Sequence, residues 1–172
     1  MDLHPATDLA ALYRELQPGL LRYLRAVAPG TAEDVAADVW VEVATSAHRF
    51  QGDENAFRGW IYTIARRRVI DGHRRAGRRR TDPVTGERMV DISGTDQPEQ
   101  VVVDRVTTEA AVAQVVALLS PDQAEVVLLR IIGGMRVAQV AELLGKRPGT
   151  VRVLQHRGLR RLAVHGQGLL SA

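Results

Sequence analysis

The sequence predicts an all-α protein of two small helical domains joined by a flexible linker, with a helix-turn-helix in the C-terminal domain. Apolar residues recur at three- and four-residue spacings in both halves of the 172-residue chain, as on the buried face of a helix. The stretch 81–100, TDPVTGERMVDISGTDQPEQ, lacks this periodicity and is rich in Pro, Gly, Ser, Thr and Asp, which is typical of a linker. The predicted domains are therefore 1–80 and 101–172.

The first predicted helix covers residues 8–28, where leucines recur along one face. Pro29 and Gly30 end the pattern. Pro18 lies inside this helix and lacks the backbone N–H that a helix interior uses. A kink or a break is therefore expected near Gln17.

A second helix is predicted over 31–50, with Thr31 as its N-cap and valines at i+4 spacing along its buried stripe. Asp38 and Glu42 lie one turn apart and away from that stripe, and the same helix offers them no opposite charge as a partner. Two interpretations are open: a solvated acidic face, which is common, or a docking surface for a basic partner.

The stretch 56–80, AFRGWIYTIARRRVIDGHRRAGRRR, begins as an amphipathic helix and ends as a cationic one. Its apolar side chains share one helical face: Phe57, Trp60, Ile61, Ile64 and Ala65. Eight arginines follow, against the single acid Asp71: Arg66, Arg67, Arg68, Arg74, Arg75, Arg78, Arg79 and Arg80. A basic helix end is favoured by the helix dipole alone, but eight arginines exceed that need. The excess favours nucleic acid, whose phosphates would neutralise the arginines while aromatic residues stack on unpaired bases.

The second domain is predicted to be helical over 101–119 and from a Ser120 N-cap to Gly133-Gly134. Two further helices, Val137–Leu144 and 150–164, have helix-turn-helix spacing, and Gly145 permits the tight turn. The last helix turns one set of residues inward: Val151, Leu154, Gly158 and Leu162. Its outward set is mostly basic: Arg152, Val153, His156, Arg157 and Arg160. Such a face fits the major groove, where arginine reads base edges and holds phosphates.

Composition excludes several classes of protein. There is no cysteine, so disulfides, thiol catalysis and cysteine zinc sites are excluded. The acidic N-terminus does not resemble a signal peptide, and no apolar stretch reaches membrane length. We therefore expect a cytoplasmic protein without membrane insertion.

An enzyme is an alternative, since Asp71, His73 and His48 could form a metal site or an acid–base pair. The simpler interpretation is that Asp71, which lies among arginines, pairs with one of them. The two histidines are also far apart in the sequence, which argues against a shared site. We expect no enzyme activity, no catalytic residue, no metal and no cofactor.

Three segments, in this order, resemble the extracytoplasmic-function sigma factors, the small two-domain initiation subunits of bacterial RNA polymerase. The first, AEDVAADVWVEVATSAHRF at 32–50, is similar to the helix that binds the clamp coiled coil of the largest polymerase subunit. The second, FRGWIYTIARRRVIDGHRR at 57–75, is similar to the segment that melts and reads the −10 promoter element. The third, LSPDQAEVVLLRIIGGMRVAQVAELLGKRPGTVRVLQHRGLRRL at 119–162, resembles the domain that reads the −35 element.

The resemblance implies roles for individual residues. Polymerase contacts are expected at Asp34, Asp38, Trp40 and Glu42. Contacts to −10 DNA are expected at Asp53, Asn55, Phe57, Trp60, Arg66, Arg67, Arg74 and Arg75, with the loop 51–55 capturing a flipped base. Contacts to −35 DNA are expected at Arg147, Thr150, Arg152, His156, Arg157 and Arg160. This chain departs from the common family residues at three positions: Ala37 for Gln, Arg67 for Asn, and Arg136 for Ser or Thr.

The partners that the resemblance implies are core RNA polymerase, through its clamp coiled coil and flap region, and promoter DNA. It also allows control by an anti-sigma factor. The competing interpretation is a helix-turn-helix regulator that binds an operator without polymerase. That regulator would account for 120–164 but would leave the acidic helix and the Trp60 stretch unexplained.

Overall fold

The computed structural model describes residues 5–79, 112–113 and 115–166, and every regular element in these ranges is helical. The elements are α1 (Pro5–Val27), α2 (Ala32–Ser46), a 3₁₀ turn (Ala47–Arg49), α3 (Glu54–Arg79), α4 (Pro121–Val127), a π-helical segment (Leu128–Ile132), α5 (Val137–Leu144) and α6 (Pro148–Gly166). The all-α prediction is confirmed. The predicted linker 81–100 and most of the helix predicted over 101–119 lie outside the described residues.

Helix α1 runs without interruption through Pro18, so the break predicted near Gln17 does not occur. The reason is packing: Leu16, Leu20 and Leu24 are at most 2% exposed on both sides of the proline. Burial of several large side chains outweighs the roughly 3 kcal/mol that an interior proline costs. The Gln17 side chain is also held, because its Oε1 accepts a hydrogen bond from the Trp40 indole at 2.5 Å.

Helix α2 is shorter than predicted, since a 3₁₀ turn replaces its last residues before Phe50. Thr31 occupies the N-cap position, but its side chain makes no capping hydrogen bond. The positive end of the helix is instead faced by Glu33 and Asp34 in the first turn. The helix is therefore held mainly by its buried stripe, in which Val39 is fully buried.

The helix-turn-helix forms as the sequence predicts. Ser120 caps α4 in a reciprocal capping box with Gln123, and Gly145 ends α5 in the left-handed conformation at φ 61°. Helix α6 begins two residues earlier than predicted, at Pro148. Its predicted inward residues are buried or half-buried, namely Val151, Leu154, Gly158 and Leu162.

The N-terminal and C-terminal units share one hydrophobic cluster. Leu129 and Met135 of the C-terminal unit belong to the same cluster as the buried residues of α1, α2 and α3. Contacts run from α1 to the π-helical segment and from α3 to α5. Within this cluster Tyr23 meets Tyr62 edge-to-face at 5.4 Å between ring centroids, and burial raises the pKa of Tyr62 to about 12. The two units therefore form one packed body around α3.

Candidate polymerase and nucleic-acid interface

The acidic residues of α2 are paired with arginines of the neighbouring helix. Arg68 of α3 donates to Glu42 at 2.8 Å and lies 3.4 Å from Asp38, and Arg67 also donates to Glu42. Hydrogen bonds from Arg68 and Arg67 hold the pKa of the Glu42 carboxyl below its ordinary value. Glu42 is thus committed to α3, whereas the Asp38 side chain remains 64% exposed.

The solvent-exposed face of α2 carries both acidic and apolar side chains. Asp34, Ala37, Asp38 and Val41 are all exposed, and they share one face because 34 and 38, and likewise 37 and 41, are four residues apart. Val41 is 64% exposed, which is high for a large apolar side chain. Val41 is not among the polymerase contacts predicted from the sequence, although it lies one turn after Asp38.

Trp40 does not belong to this surface. The indole is 9% exposed, meets Tyr13 edge-to-face at 4.9 Å between ring centroids, and donates its N–H to Gln17. The ring lies between α1 and α2, and the polymerase contact at Trp40 stays a prediction. Its role in this arrangement is to fix the position of α2 on α1.

Three aromatic rings form a cluster at the start of α3. Phe50 stacks on Trp60 with ring centroids 5.2 Å apart and an interplanar angle of 23°. Phe57 packs edge-on against both rings and has no exposed area. The Phe57 ring is enclosed by the core in this arrangement, and its contact with −10 DNA stays a prediction. Trp60 and Phe50 are both half-buried, so these two rings, unlike Phe57, retain exposed area.

The loop before α3 is held by its own hydrogen bonds. The Asp53 carboxylate accepts a hydrogen bond from the backbone N–H of Ala56 at 2.8 Å, as an N-terminal cap does. The backbone carbonyl of Asn55 accepts a hydrogen bond from the Gln139 side chain at 2.5 Å. Asp53 is exposed and Asn55 is half-buried, so the loop that the resemblance assigns to base capture is ordered at the protein surface.

The arginines of α3 differ in how firmly they are held. Arg66 donates from Nε to Glu125 at 2.6 Å, and this hydrogen bond raises the pKa of the guanidinium. Arg67 is bound to Glu42. Arg74 lies 4.0 Å from Asp71 and is largely exposed, and Arg75 is also exposed. The far end of α3 therefore presents cations to solvent, whereas its middle is neutralised by carboxylates.

Helix α6 carries the second candidate DNA surface. Every predicted −35 residue is exposed: Arg147, Thr150, Arg152, His156, Arg157 and Arg160. Val153 lies on the same face and is 48% exposed. Gln155 lies at the flank of this face, and its side chain accepts a hydrogen bond from Arg130 at 3.0 Å. The outward face of α6 therefore presents its basic side chains to solvent, as a helix that enters a major groove does.

Nothing in the described residues supports the metal-site alternative. Asp71 faces Arg74, as the simpler interpretation predicted. His48 and His73 are exposed, and no group of three potential ligands forms within residues 5–79 and 112–166 as far as they are described. No helix in the same part of the chain is long and apolar enough to cross a membrane.

Family models match both halves of the chain. The family model for sigma-70 region 2 matches residues 12–79, and the model for sigma-70 region 4 matches residues 109–162. Over 161 residues the chain is 34% identical to the ECF RNA polymerase sigma factor BldN of Streptomyces coelicolor, covering 92% of this chain and 60% of BldN. Over 162 residues it is 32% identical to the ECF sigma factor SigD of Mycobacterium tuberculosis, covering 90% of this chain and 74% of SigD.

Two solved structures share the fold. The sigma factor RpoE of Bartonella quintana, solved in complex with the anti-sigma factor NepR, aligns with a TM-score of 0.67 and 20% identity over 96% of this chain and 98% of RpoE. CnrH, solved in complex with the cytosolic domain of CnrY, aligns with a TM-score of 0.61 and 20% identity over 92% of this chain and 87% of CnrH. At such identity they establish the fold alone. The two region matches and the curated relatives show that the chain belongs to the extracytoplasmic-function sigma factors of bacterial RNA polymerase.

Proposed function

We propose that this chain directs core RNA polymerase to promoters, with 1–80 as the polymerase-binding and −10 domain, 81–100 as the linker and 101–172 as the −35 domain. The observation that carries the proposal is the outward face of α6, where basic residues are exposed while the opposite face is buried in a helix-turn-helix. That face suits duplex DNA.

The first step of the proposed mechanism is docking. The exposed face of α2 offers two carboxylates, Asp34 and Asp38, beside the apolar side chain of Val41. Such a surface suits a basic helical partner with apolar positions, as the clamp coiled coil is expected to be. The C-terminal unit would add a second contact at the flap region. Electrostatic complementarity then sets the register of the complex.

The second step is capture of the melted −10 strand. Trp60 offers a ring face for stacking, the loop 51–55 offers polar groups to an unpaired base, and Arg74 and Arg75 offer cations to phosphates. Arg66 and Arg67 would have to exchange carboxylate partners for phosphate. Meanwhile α6 holds the −35 duplex, so recognition of the two elements is divided between the two units.

This protein would make no bond itself, because the chemistry of RNA synthesis belongs to polymerase. We therefore propose a cytoplasmic initiation factor that is not an enzyme and needs no cofactor. An anti-sigma factor is a further partner that fits the family, in which solved relatives are held by such proteins.

The test is reconstitution with bacterial core RNA polymerase, followed by transcription from a random-promoter library. A stable holoenzyme that yields transcripts sharing one −35 and one −10 sequence is the expected result. Core polymerase alone is the control. A folded chain that fails to bind polymerase but selects one duplex sequence would favour the operator-binding regulator.

Substitution of Arg152 by alanine is expected to relax −35 selectivity. Loss of an arginine that reads a base edge costs about 1–3 kcal/mol at that base pair and little at others. His156→Ala should act in the same way. Binding to the selected −35 duplex and to each single-base variant of it can be measured by fluorescence anisotropy at fixed salt.

Arg160→Ala is the matched control, since Arg160 lies two turns further along the exposed face and is expected to hold phosphate. It should weaken all duplexes about equally. Equal weakening of all duplexes by Arg152→Ala as well would contradict a base-reading role for that side chain.

A further inference from the structure

Glu42 of α2 binds two neighbouring arginines of α3. One of its carboxylate oxygens accepts a hydrogen bond from Arg67, and the other accepts one from Arg68 at 2.8 Å. These hydrogen bonds lower the pKa of the Glu42 carboxyl, Arg68 having the larger effect, so the side chain is ionised at neutral pH. Asp38, one turn earlier on α2, lies 3.4 Å from Arg68. Two carboxylates therefore offset the charges of two guanidiniums where α2 meets α3.

Arg67 stays accessible although it is paired. Its side chain is 58% exposed, whereas that of Glu42 is 24% exposed. A guanidinium has five N–H donors and no acceptor, and the hydrogen bond to Glu42 uses one of those on Nη2. The Glu42 carboxylate therefore holds Arg67 in place without using up its donors, and a ligand in solvent can still reach the side chain.

Arg67 lies on the side of α3 that carries Trp60. The positions of Trp60, Thr63 and Arg67 differ by three and four residues, so the three side chains share one face of the helix. Thr63 and Arg67 are exposed, and Trp60 is half-buried. A single strand that had a base stacked on Trp60 and ran along this face would meet Arg67 about 10 Å further along the helix axis. Arg67 is therefore placed to contact a nucleotide near the stacked base.

An arginine that is held by a carboxylate meets DNA differently from a free one. A free guanidinium binds any phosphate, and this attraction carries no sequence information. A held guanidinium attracts phosphates less, because its charge is offset, but its remaining donors can still bind acceptors on a base edge, such as O6 and N7 of guanine. It also loses less conformational freedom on binding. Since specificity is a difference between two affinities, both effects favour the selected strand over other strands.

Phosphate contacts remain available at the far end of α3. The Arg74 side chain is 73% exposed and lies 4.0 Å from Asp71, which is a long contact, and Arg75 is also exposed. These cations can hold the backbone of a strand whatever its sequence. The charge offset by Glu42 therefore falls on the part of α3 nearer the stacking residue Trp60, where base contacts rather than phosphate contacts are expected.

We propose that Glu42 is a positioning residue for −10 recognition, which orients Arg67 towards a base edge and withholds the charges of Arg67 and Arg68 from phosphates. The proposal rests on the proposed function of α3 and deepens it. Arg67 then contacts a base without exchanging its carboxylate partner for phosphate. This role differs from the polymerase contact that the family resemblance implies for Glu42.

The first test is Glu42→Gln in the full-length chain. Glutamine keeps the size of the side chain but removes the charge that offsets Arg67 and Arg68. Each freed guanidinium should steepen the fall of log K with log salt by about 0.7 for a single strand. Affinity for a scrambled −10 oligonucleotide should therefore exceed that of the wild type by about three- to sevenfold near 50 mM salt, and the gain should disappear near 200 mM. Fluorescence anisotropy measures both.

Discrimination among bases tests the positioning role directly. The probes are the −10 oligonucleotide selected from the promoter library and each single-base variant of it. Arg67→Gln should lose discrimination at one position, where the wild type prefers an acceptor-rich base such as guanine, by about five- to 150-fold. Glu42→Gln should lose discrimination at that same position, by at least about threefold, and keep it elsewhere. An ion pair that only braced α2 against α3 would not act on a single position.

Glu33→Gln is the matched control. It removes one negative charge from the same helix, but Glu33 makes its salt bridge to Arg25 of α1 rather than to α3. An equal gain on the scrambled oligonucleotide in both variants would show a general charge effect and overturn the proposal. Full discrimination by Glu42→Gln at the position that Arg67→Gln loses would also overturn it, as would an equal loss at every position. Circular dichroism of each variant checks the helical fold.

The wild type distinguishes failure of this proposal from failure of the proposed function. If the wild-type chain, free or bound to core polymerase, does not prefer the selected −10 oligonucleotide to the scrambled one, the −10 assignment of α3 is overturned and this proposal with it. If the wild type does show that preference while Glu42→Gln matches it in salt dependence and in discrimination, the positioning role of Glu42 alone is overturned.

Discussion

Replacement of Asp38 by arginine is expected to abolish stable binding to core RNA polymerase while leaving the fold intact. The Asp38 carboxylate is 64% exposed on the outer face of α2, between Asp34 and Val41. A cation there would face a basic partner, and like charges across an interface cost several kcal/mol. The dissociation constant should therefore rise at least ~100-fold, since each 1.4 kcal/mol is tenfold. Titration of labelled protein with core polymerase measures it.

The fold should tolerate this change, because Asp38 contributes little to it. Its contact with Arg68 is long, at 3.4 Å, and Arg68 keeps its shorter hydrogen bond to Glu42. Loss of an exposed pair of this kind costs about 0–1 kcal/mol. The free energy of unfolding, followed by circular dichroism in urea, should change by no more than that.

Glu33→Arg is the control on the same helix. Glu33 is exposed and makes a salt bridge to Arg25 of α1 at 2.7 Å, on a different side of α2 from Asp38. Polymerase affinity should change by less than about threefold if only one face of α2 docks. Unchanged affinity in Asp38→Arg, or an equal loss in both variants, would show that the docking surface has been placed on the wrong face.

The sequence predicts the helix-turn-helix well because its determinants are local. Ser120 with Gln123 specifies the start of α4, Gly145 specifies the turn, and the periodicity of α6 separates its buried residues from Arg152 and His156. Each of these signals acts over one or two helical turns. Local physics therefore suffices for the −35 candidate surface.

The charge pairing on α3 could not be predicted in the same way. Glu42 and Arg67 are 25 residues apart, and Arg66 and Glu125 are 59 residues apart. Such pairs depend on how helices cross, which periodicity does not specify. Arginine density correctly indicated a cationic helix, but it could not show that Arg66, Arg67 and Arg68 each have a carboxylate partner within the protein.

Tertiary packing also decides the positions of Pro18 and Trp40. A helix break near Pro18 is the local expectation, and it does not occur because α1 and α2 pack along their lengths and hold α1 continuous. The same packing places the Trp40 indole against Tyr13 and Gln17, while the polymerase contact at Trp40 stays a prediction. Tertiary packing outweighs local preference at these positions.

We expect substitutions of Phe57 to change mainly the free energy of unfolding, and substitutions of Trp60 to change the affinity for a single-stranded −10 oligonucleotide. Phe57 is fully buried, so Phe57→Ala should lower the free energy of unfolding by about 3–5 kcal/mol, as large-to-small substitutions in a core do. Phe57→Leu, which keeps most of the buried volume, should bind a single-stranded −10 oligonucleotide as the wild type does. Urea denaturation and fluorescence anisotropy give the two quantities.

Trp60→Ala, unlike Phe57→Leu, should weaken binding of the single-stranded −10 oligonucleotide. Its ring is half-buried and stacks on Phe50, so truncation removes part of the packing and also the face on which a base would stack. Stacking of a base on an aromatic side chain contributes about 1–3 kcal/mol, which is a loss of roughly five- to 150-fold in oligonucleotide affinity. Loss of that affinity in Phe57→Leu but not in Trp60→Ala would reassign the stacking role to Phe57 and require the aromatic cluster to rearrange on binding.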